Sequence, residues 1–195
     1  MSSGMNRLIA FGVAVAAAAG CDSRGKSTNV APVYNQDTGR LEQLVSDRDG
    51  DGRPETRAFM DGAVLKRIEI DRNGDGKVDR WEFYQSGEMS QRGLPMQAPV
   101  IERAEEANGP DSKVTRREFY ANGVVQRVED DADNDGRPDK WEWYDAGQLV
   151  RVELDLIGKG YPSQRLVYGL GGTVVRVETD PDGDGKFVPV REESH

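Results

Sequence analysis

The feature that most constrains this chain is an internal repeat. Glycines at 39, 62, 87, 123, 147 and 172 open successive units, spaced 23, 25, 36, 24 and 25 residues apart. After the glycine comes Val64-Leu65-Lys66-Arg67-Ile68-Glu69, echoed by Gln126-Arg127-Val128-Glu129, Val150-Arg151-Val152-Glu153 and Val175-Arg176-Val177-Glu178. A second phrase closes the unit, as Trp81-Glu82-Phe83-Tyr84, Glu118-Phe119-Tyr120 and Trp141-Glu142-Trp143-Tyr144. A regular period of this length means one supersecondary unit used repeatedly. The third unit is longer, with an insertion near residues 93–109 marked by Pro95, Pro99 and Pro110. Residues 101–107 within it are expected to form a short helix.

Between the two phrases lies an acidic stretch. Residues 71–82 and 131–142 both fit D-x-[DN]-x-[DN]-G-x5-E, the spacing of an EF-hand calcium loop. The flanks decide against helix–loop–helix. From Ala58 to Asp71, and again from Glu142 to Asp155, only 12 residues intervene. That gap would have to hold an exiting helix, a linker and an entering helix. It suits two strands of about five residues and a tight turn. Asn122-Gly123 and Asp61-Gly62 are two-residue hairpin signals, and Val150, Val152 and Leu154 alternate with polar partners. The expected fold is therefore all-β: an antiparallel meander of about six tandem 24-residue hairpins, up to twelve short strands. Alternating turn types put the acidic loops along one edge and the glycine turns along the other.

Such tandem hairpins resemble the MORN and YD-type repeats of bacterial surface proteins, over most of residues 39–195. The resemblance lies in the period and the aromatic–glycine turn; the Asp-rich tip is not part of those patterns. It implies an exported bacterial repeat protein.

Ca2+ takes six to eight hard oxygens in a flexible shell. In the second loop the EF-hand pattern places side-chain oxygens at Asp71, Asn73 and Asp75, the sharp turn at Gly76 and a carbonyl at Lys77. Asp79 takes the water-mediated position and Glu82 the bidentate one. The fourth loop repeats these roles with Asp131, Asp133, Asp135, Gly136, Arg137, Asp139 and Glu142. The first loop offers Asp47, Asp49, Asp51 and Glu55, with Ala58 at the closing position. The sixth offers Asp180, Asp182 and Asp184, followed by Val188 and Arg191. The third and fifth loops have lost most ligands.

Plain turns also favour Asp, Asn and Gly. Two like charges about 4 Å apart, however, repel by roughly 4 kcal/mol at an effective dielectric near 20. A ligand-spaced series of carboxylates therefore points to a cation, whereas a turn needs one Asp. The closing glutamate has a competing role. Glu118 persists where its loop has lost its first ligands, so Glu82 and Glu142 serve either as ligands or as strand residues. Arg67, Arg127 and Arg151 beside Glu69, Glu129 and Glu153 are expected to form a cross-strand Arg–Glu ladder. Trp81, Phe83, Trp141 and Trp143 are expected to cover one face as its core, with carbohydrate stacking as the alternative.

Arg7 precedes residues 8–19, an apolar run without charge that is too short to span a bilayer and suits a signal peptide. Ala18-Ala19-Gly20-Cys21 resembles a bacterial lipobox, which implies a lipid-modified Cys21 and membrane anchoring. Residues 1–20 are then the lipoprotein signal, 21–38 a polar tether and 39–195 the repeat domain. The chain is 31% charged with a net charge of −9 and lacks a basic stripe, which argues against nucleic acid. Its single His is the last residue, which removes Cys–His and Ser–His catalysis. These features converge on a non-enzymatic, calcium-binding lipoprotein of the bacterial cell envelope, Ca2+ ordering the loops. The alternatives are an envelope module that holds a protein or glycan, and a true EF-hand protein.

Overall fold

A computed structural model describes residues 30–87, 90, 94–109 and 113–190. The export signal and Cys21 lie outside these described residues, as do Gly93, Pro110 and Arg191. Thirteen strands follow one another: β1 (Val30–Tyr34), β2 (Leu41–Ser46), β3 (Thr56–Asp61), β4 (Val64–Ile70), β5 (Arg80–Gln85), β6 (Val100–Glu106) and β7 (Arg116–Ala121). After them come β8 (Val124–Asp130), β9 (Lys140–Asp145), β10 (Gln148–Leu154), β11 (Gln164–Tyr168), β12 (Val174–Thr179) and β13 (Val188–Pro189). They form one antiparallel sheet in strictly sequential order, a meander of tandem hairpins.

Two expectations need correcting. Residues 101–107 are not a helix: β6 occupies nearly all of them, and Ala104 sits opposite Glu82 on one side and Glu118 on the other. Its period-two pattern, with Ala104 buried and Arg103 and Glu105 on the opposite face, outweighs the helical propensity of its alanines and glutamates. The long connection is instead residues 86–99. Within the stretch expected as a tether, residues 30–34 form β1, which pairs with β2 from Val30, opposite Ser46, while 21–29 lie outside the described residues.

The turn types segregate as expected. Glycines 39, 62, 123, 147 and 172 lie in the turns of one edge, and the acidic loops join β2 to β3, β4 to β5 and so on along the other. Asn122 and Gly123 both have positive φ (51° and 77°), the requirement of a type I′ turn.

Among the described residues each strand's backbone lies beside only its neighbours in sequence, so the sheet is a single open layer. Neither face is covered by a second sheet, which changes how the apolar residues are buried. On one face a row of directly paired residues runs Ile68, Glu82, Ala104, Glu118, Val128, Glu142, Val152. The long side chains fold over the small ones between them, leaving Ala104 at 0% and Val128 at 2% exposure. On the other face the row is Phe59, Arg67, Phe83, Arg103, Phe119, Arg127, Trp143, Arg151. Arg67 lies 4.0 Å over the Phe59 ring, Arg103 4.2 Å over Phe83, Arg127 4.4 Å over Phe119 and Arg151 4.5 Å over Trp143. Each such contact contributes about 0.5–1 kcal/mol at an exposed site. Phe59, Phe83, Phe119 and Trp143 are thus half-buried under guanidinium groups, not packed as a core; Trp81 and Trp141, also half-buried, lie on the same face opposite Glu69 and Glu105 and opposite Glu129 and Glu153.

An open sheet leaves two edges to protect. The Asn35 amide donates to the Arg40 carbonyl, so by alternation the N–H groups at 31 and 33 face β2 and position 32 faces outward. Position 32 is proline, which has no N–H to offer an incoming strand. The far edge, β13, is two residues long and ends in Pro189.

Candidate metal centres on the loop edge

Each acidic loop starts one residue beyond a strand, and its first Asp organises the turn. The Asp71 carboxylate accepts from the amides of Gly74 (2.7 Å) and Gly76 (2.7 Å). Asp47 does the same with Gly50 and Gly52, and Asp180 with Gly183 and Gly185. Asp131 accepts from Gly136 (2.9 Å). The glycines at these positions have positive φ, +74° at Gly74 and +87° at Gly76, which is what lets successive amides converge on one carboxylate. Three of these first aspartates are almost fully buried: Asp71 at 6%, Asp131 at 4% and Asp180 at 2% exposure.

The next ligand positions build short Asx turns. Asp49, Asn73 and Asp133 each accept from the amide two residues on, and so do Asp51, Asp75, Asp135 and Asp184. The ninth position closes the loop back on itself. Asp79 accepts from the amides of Arg72 (2.7 Å) and Asn73 (3.3 Å), and Asp139 from Ala132 (2.7 Å) and Asp133 (3.3 Å). Glu55 takes this role in the first loop through the Arg48 amide at 2.7 Å. That bond is the largest influence holding the Glu55 carboxyl below its ordinary range.

One carboxylate oxygen from each of Asp131, Asp133 and Asp139 comes within 4.8 Å of the others; Asp47, Asp49 and Glu55 form a second such group and Asp180, Asp182 and Asp184 a third. In the second loop Asn73 stands where Asp133 stands in the fourth, so one carboxylate is replaced by an amide oxygen. Asp51, Asp75 and Asp135 are exposed on the loop tips, next to the exposed Lys77 and Arg137 whose carbonyls the calcium pattern would use. The fourth loop carries one further signal. Asp131 Oδ1 is buried and has no hydrogen-bond partner. A buried carboxylate oxygen without a donor is costly, and a cation is the partner that would satisfy it.

The fifth loop is an internal control. It keeps Asp155, which accepts from Ile157 (3.2 Å) and Gly160 (2.5 Å), with Ser163 at the ninth position accepting from the Leu156 amide. It has none of the middle carboxylates. One Asp therefore suffices to make the turn, and the additional acids of the other loops are surplus to it.

The closing glutamates lie in the sheet. Glu82 is in β5 between Ile68 and Ala104, and Glu142 is in β9 between Val128 and Val152. Glu82 accepts from Arg80 Nε (2.8 Å) and the Tyr84 hydroxyl (2.7 Å). Glu142 lies 2.9 Å from Lys140 Nζ and accepts from the Tyr144 hydroxyl (2.7 Å). Glu118 repeats the arrangement with Arg116 and Tyr120. Arg80, 9% exposed, further ties Glu106 and Glu118 to β5. Each of these tyrosines stands two residues after its glutamate in the repeated closing phrase, which places both on one face of the strand. The Arg–Glu ladder is only partly cross-strand. Arg67–Glu69 (2.8 Å) and Arg127–Glu129 (3.1 Å) lie within one strand, whereas Arg165–Glu153 (2.7 Å) crosses.

No family profile matches this chain, and no curated protein matches it. Among solved structures it has a partial likeness to accessory secretory protein 1, 2 and 3 of Streptococcus pneumoniae, at 19% identity and a TM-score of 0.25. The match covers 75% of this chain and 23% of that one.

Proposed function

We propose that this chain is a calcium-binding lipoprotein of the bacterial cell envelope, anchored through Cys21, in which Ca2+ orders the loop edge of a single-layer β sheet. The observation that carries the metal reading is Asp131: 4% exposed, grouped with Asp133 and Asp139, and with a buried Oδ1 that no donor satisfies. The fourth loop offers hard oxygens only, carboxylate and carbonyl, which is the donor set of Ca2+ and not of zinc or copper. Asp131, Asp133, Asp135 and Asp139 would hold the ion in the fourth loop, with the carbonyl of Arg137. Its bound charge would offset the repulsion among these carboxylates and fix the register of β8 against β9.

The role is structural, because a one-layer sheet has little core and each hairpin depends on its neighbours. Affinity is expected at the weak, extracellular end of the calcium range, about 10⁻⁴–10⁻³ M. At a free concentration a hundredfold above the dissociation constant, one site adds about 2.7 kcal/mol to folding. That corresponds to roughly 5–10 °C in melting temperature for a domain of this size. The test is thermal melting in Ca2+ and in EDTA. A shift of that order supports the reading, and identical curves would refute it. Processing and lipid attachment at Cys21 are tested separately, by mass spectrometry of the membrane fraction and loss of anchoring in Cys21→Ser.

A further inference from the structure

We propose that the fourth-loop cation keeps coordination positions open for a hard anionic oxygen of a second molecule, a phosphate or a carboxylate; this rests on the calcium reading above. The loop itself supplies Asp131, Asp133, Asp135, Asp139 and the Arg137 carbonyl. If each gives one oxygen the shell has five, against the six to eight that Ca2+ takes. An EF-hand fills the remainder with its bidentate twelfth residue. Here that residue is Glu142, and both its oxygens are engaged: Oε1 lies 2.9 Å from Lys140 Nζ and Oε2 accepts from Tyr144 at 2.7 Å. Its backbone is fixed mid-sheet between Val128 and Val152. Recruiting it would break an ion pair and a hydrogen bond on a half-buried face. Glu82 is held in the same way by Arg80 and Tyr84.

The open side is accessible. Asp133, Asp135 and Arg137 are exposed, and Asp131 lines a groove of about 390 Å³ between the third and fourth loops. Asn108 and Thr115 form part of its wall; the Asn108 amide donates to the Thr115 hydroxyl at 3.3 Å, which leaves the hydroxyl proton and the second amide hydrogen to suit an anion. The empty loop repels anions through its clustered carboxylates, so the second molecule binds after the cation and each raises the affinity of the other.

Europium(III) replaces calcium on oxygen ligands, and its luminescence lifetimes in H2O and D2O count bound water. With the full chain, the tightest site is expected to carry two or more waters. Acetate and methyl phosphate, added in separate arms, are expected to remove at least one, and the more effective arm identifies the oxygen donor. Glu142→Gln is expected to change europium affinity by less than about twofold, while Asp131→Asn lowers it at least tenfold. A bound ion with fewer than two waters and no response to either anion would overturn the proposal. So would a tenfold loss in Glu142→Gln, which would make Glu142 a ligand. The water count of the unaltered chain decides the matter even if Glu142→Gln misfolds. Absence of europium binding would remove the calcium reading itself, a distinct result.

Discussion

Replacing Arg80 with methionine should open the sheet locally and by a predictable amount. Arg80 is 9% exposed and pairs with Glu82, Glu106 and Glu118, on its own strand and on the next two. Methionine keeps most of the aliphatic length but leaves half-buried Glu82 without its cation, Glu106 with only Arg72 and Glu118 with only Arg116. Removing one partner of a buried ion pair costs about 3–5 kcal/mol, and the lower figure suits a network with some solvent access. Because each strand's backbone lies beside only its sequence neighbours and Arg80 reaches no further than Glu118 on β7, the loss is expected to stay near β5, β6 and β7. The assay is residue-resolved hydrogen exchange. A loss of about 3 kcal/mol in local stability raises exchange roughly a hundredfold in those strands. Strands β10 to β12 should change by less than about threefold. Equal acceleration across the whole sheet would refute the nearest-neighbour description, and less than about fivefold in β5–β7 would refute the role given to Arg80.

Further outcomes follow from the same contacts. Burial raises the Glu118 carboxyl, but the Tyr120 hydroxyl, Arg80 and Arg116 outweigh it and leave the pKa below 4.5. That stability is present above pH 4.5 and is lost as the pH falls through the depressed value, which an acid titration followed by tryptophan fluorescence reads. Tyr120 is pushed up to about 12 by burial and by its bond to Glu118, so its contribution is full below pH 10 and disappears as the pH rises through 12. Gly136→Ala meets nothing within 4 Å and suffers only from φ +93°, at about 1 kcal/mol. Gly183→Ala, at φ +72°, also drives its Cβ to 2.6 Å from the Tyr161 ring, so its melting temperature should fall further. Asp155→Ala removes the acceptor for Ile157 and Gly160 and should lower the melting temperature equally in Ca2+ and in EDTA.

The strands were legible because the two phrases of each unit alternate by residue and the gap between loops is too short for helices. The location of the loops and of the glycine turns on opposite edges followed from the order of the turns. What was not legible was the absence of a second layer. Nothing in Phe83 or Trp143 alone distinguishes a core aromatic from one covered by arginine; the registers that set Arg103 opposite Phe83 and Arg151 opposite Trp143 decide it. The strand at β6 was hidden because its glutamates and alanines suit a helix in isolation and become strand-like only between β5 and β7. Glu82 and Glu142 fit the calcium pattern by spacing, and only the tyrosines two residues beyond reveal what holds them. In the second and fourth loops the first nine residues belong to the loop and the twelfth belongs to the sheet.

The measurement closest to the central claim is calorimetric titration of Ca2+ into the EDTA-stripped chain, alongside Asp131→Ala. Saturable binding near 10⁻⁴–10⁻³ M is expected, with the Asp131→Ala chain losing at least one site. Absence of binding heat, together with melting curves that Ca2+ leaves unchanged, would contradict it.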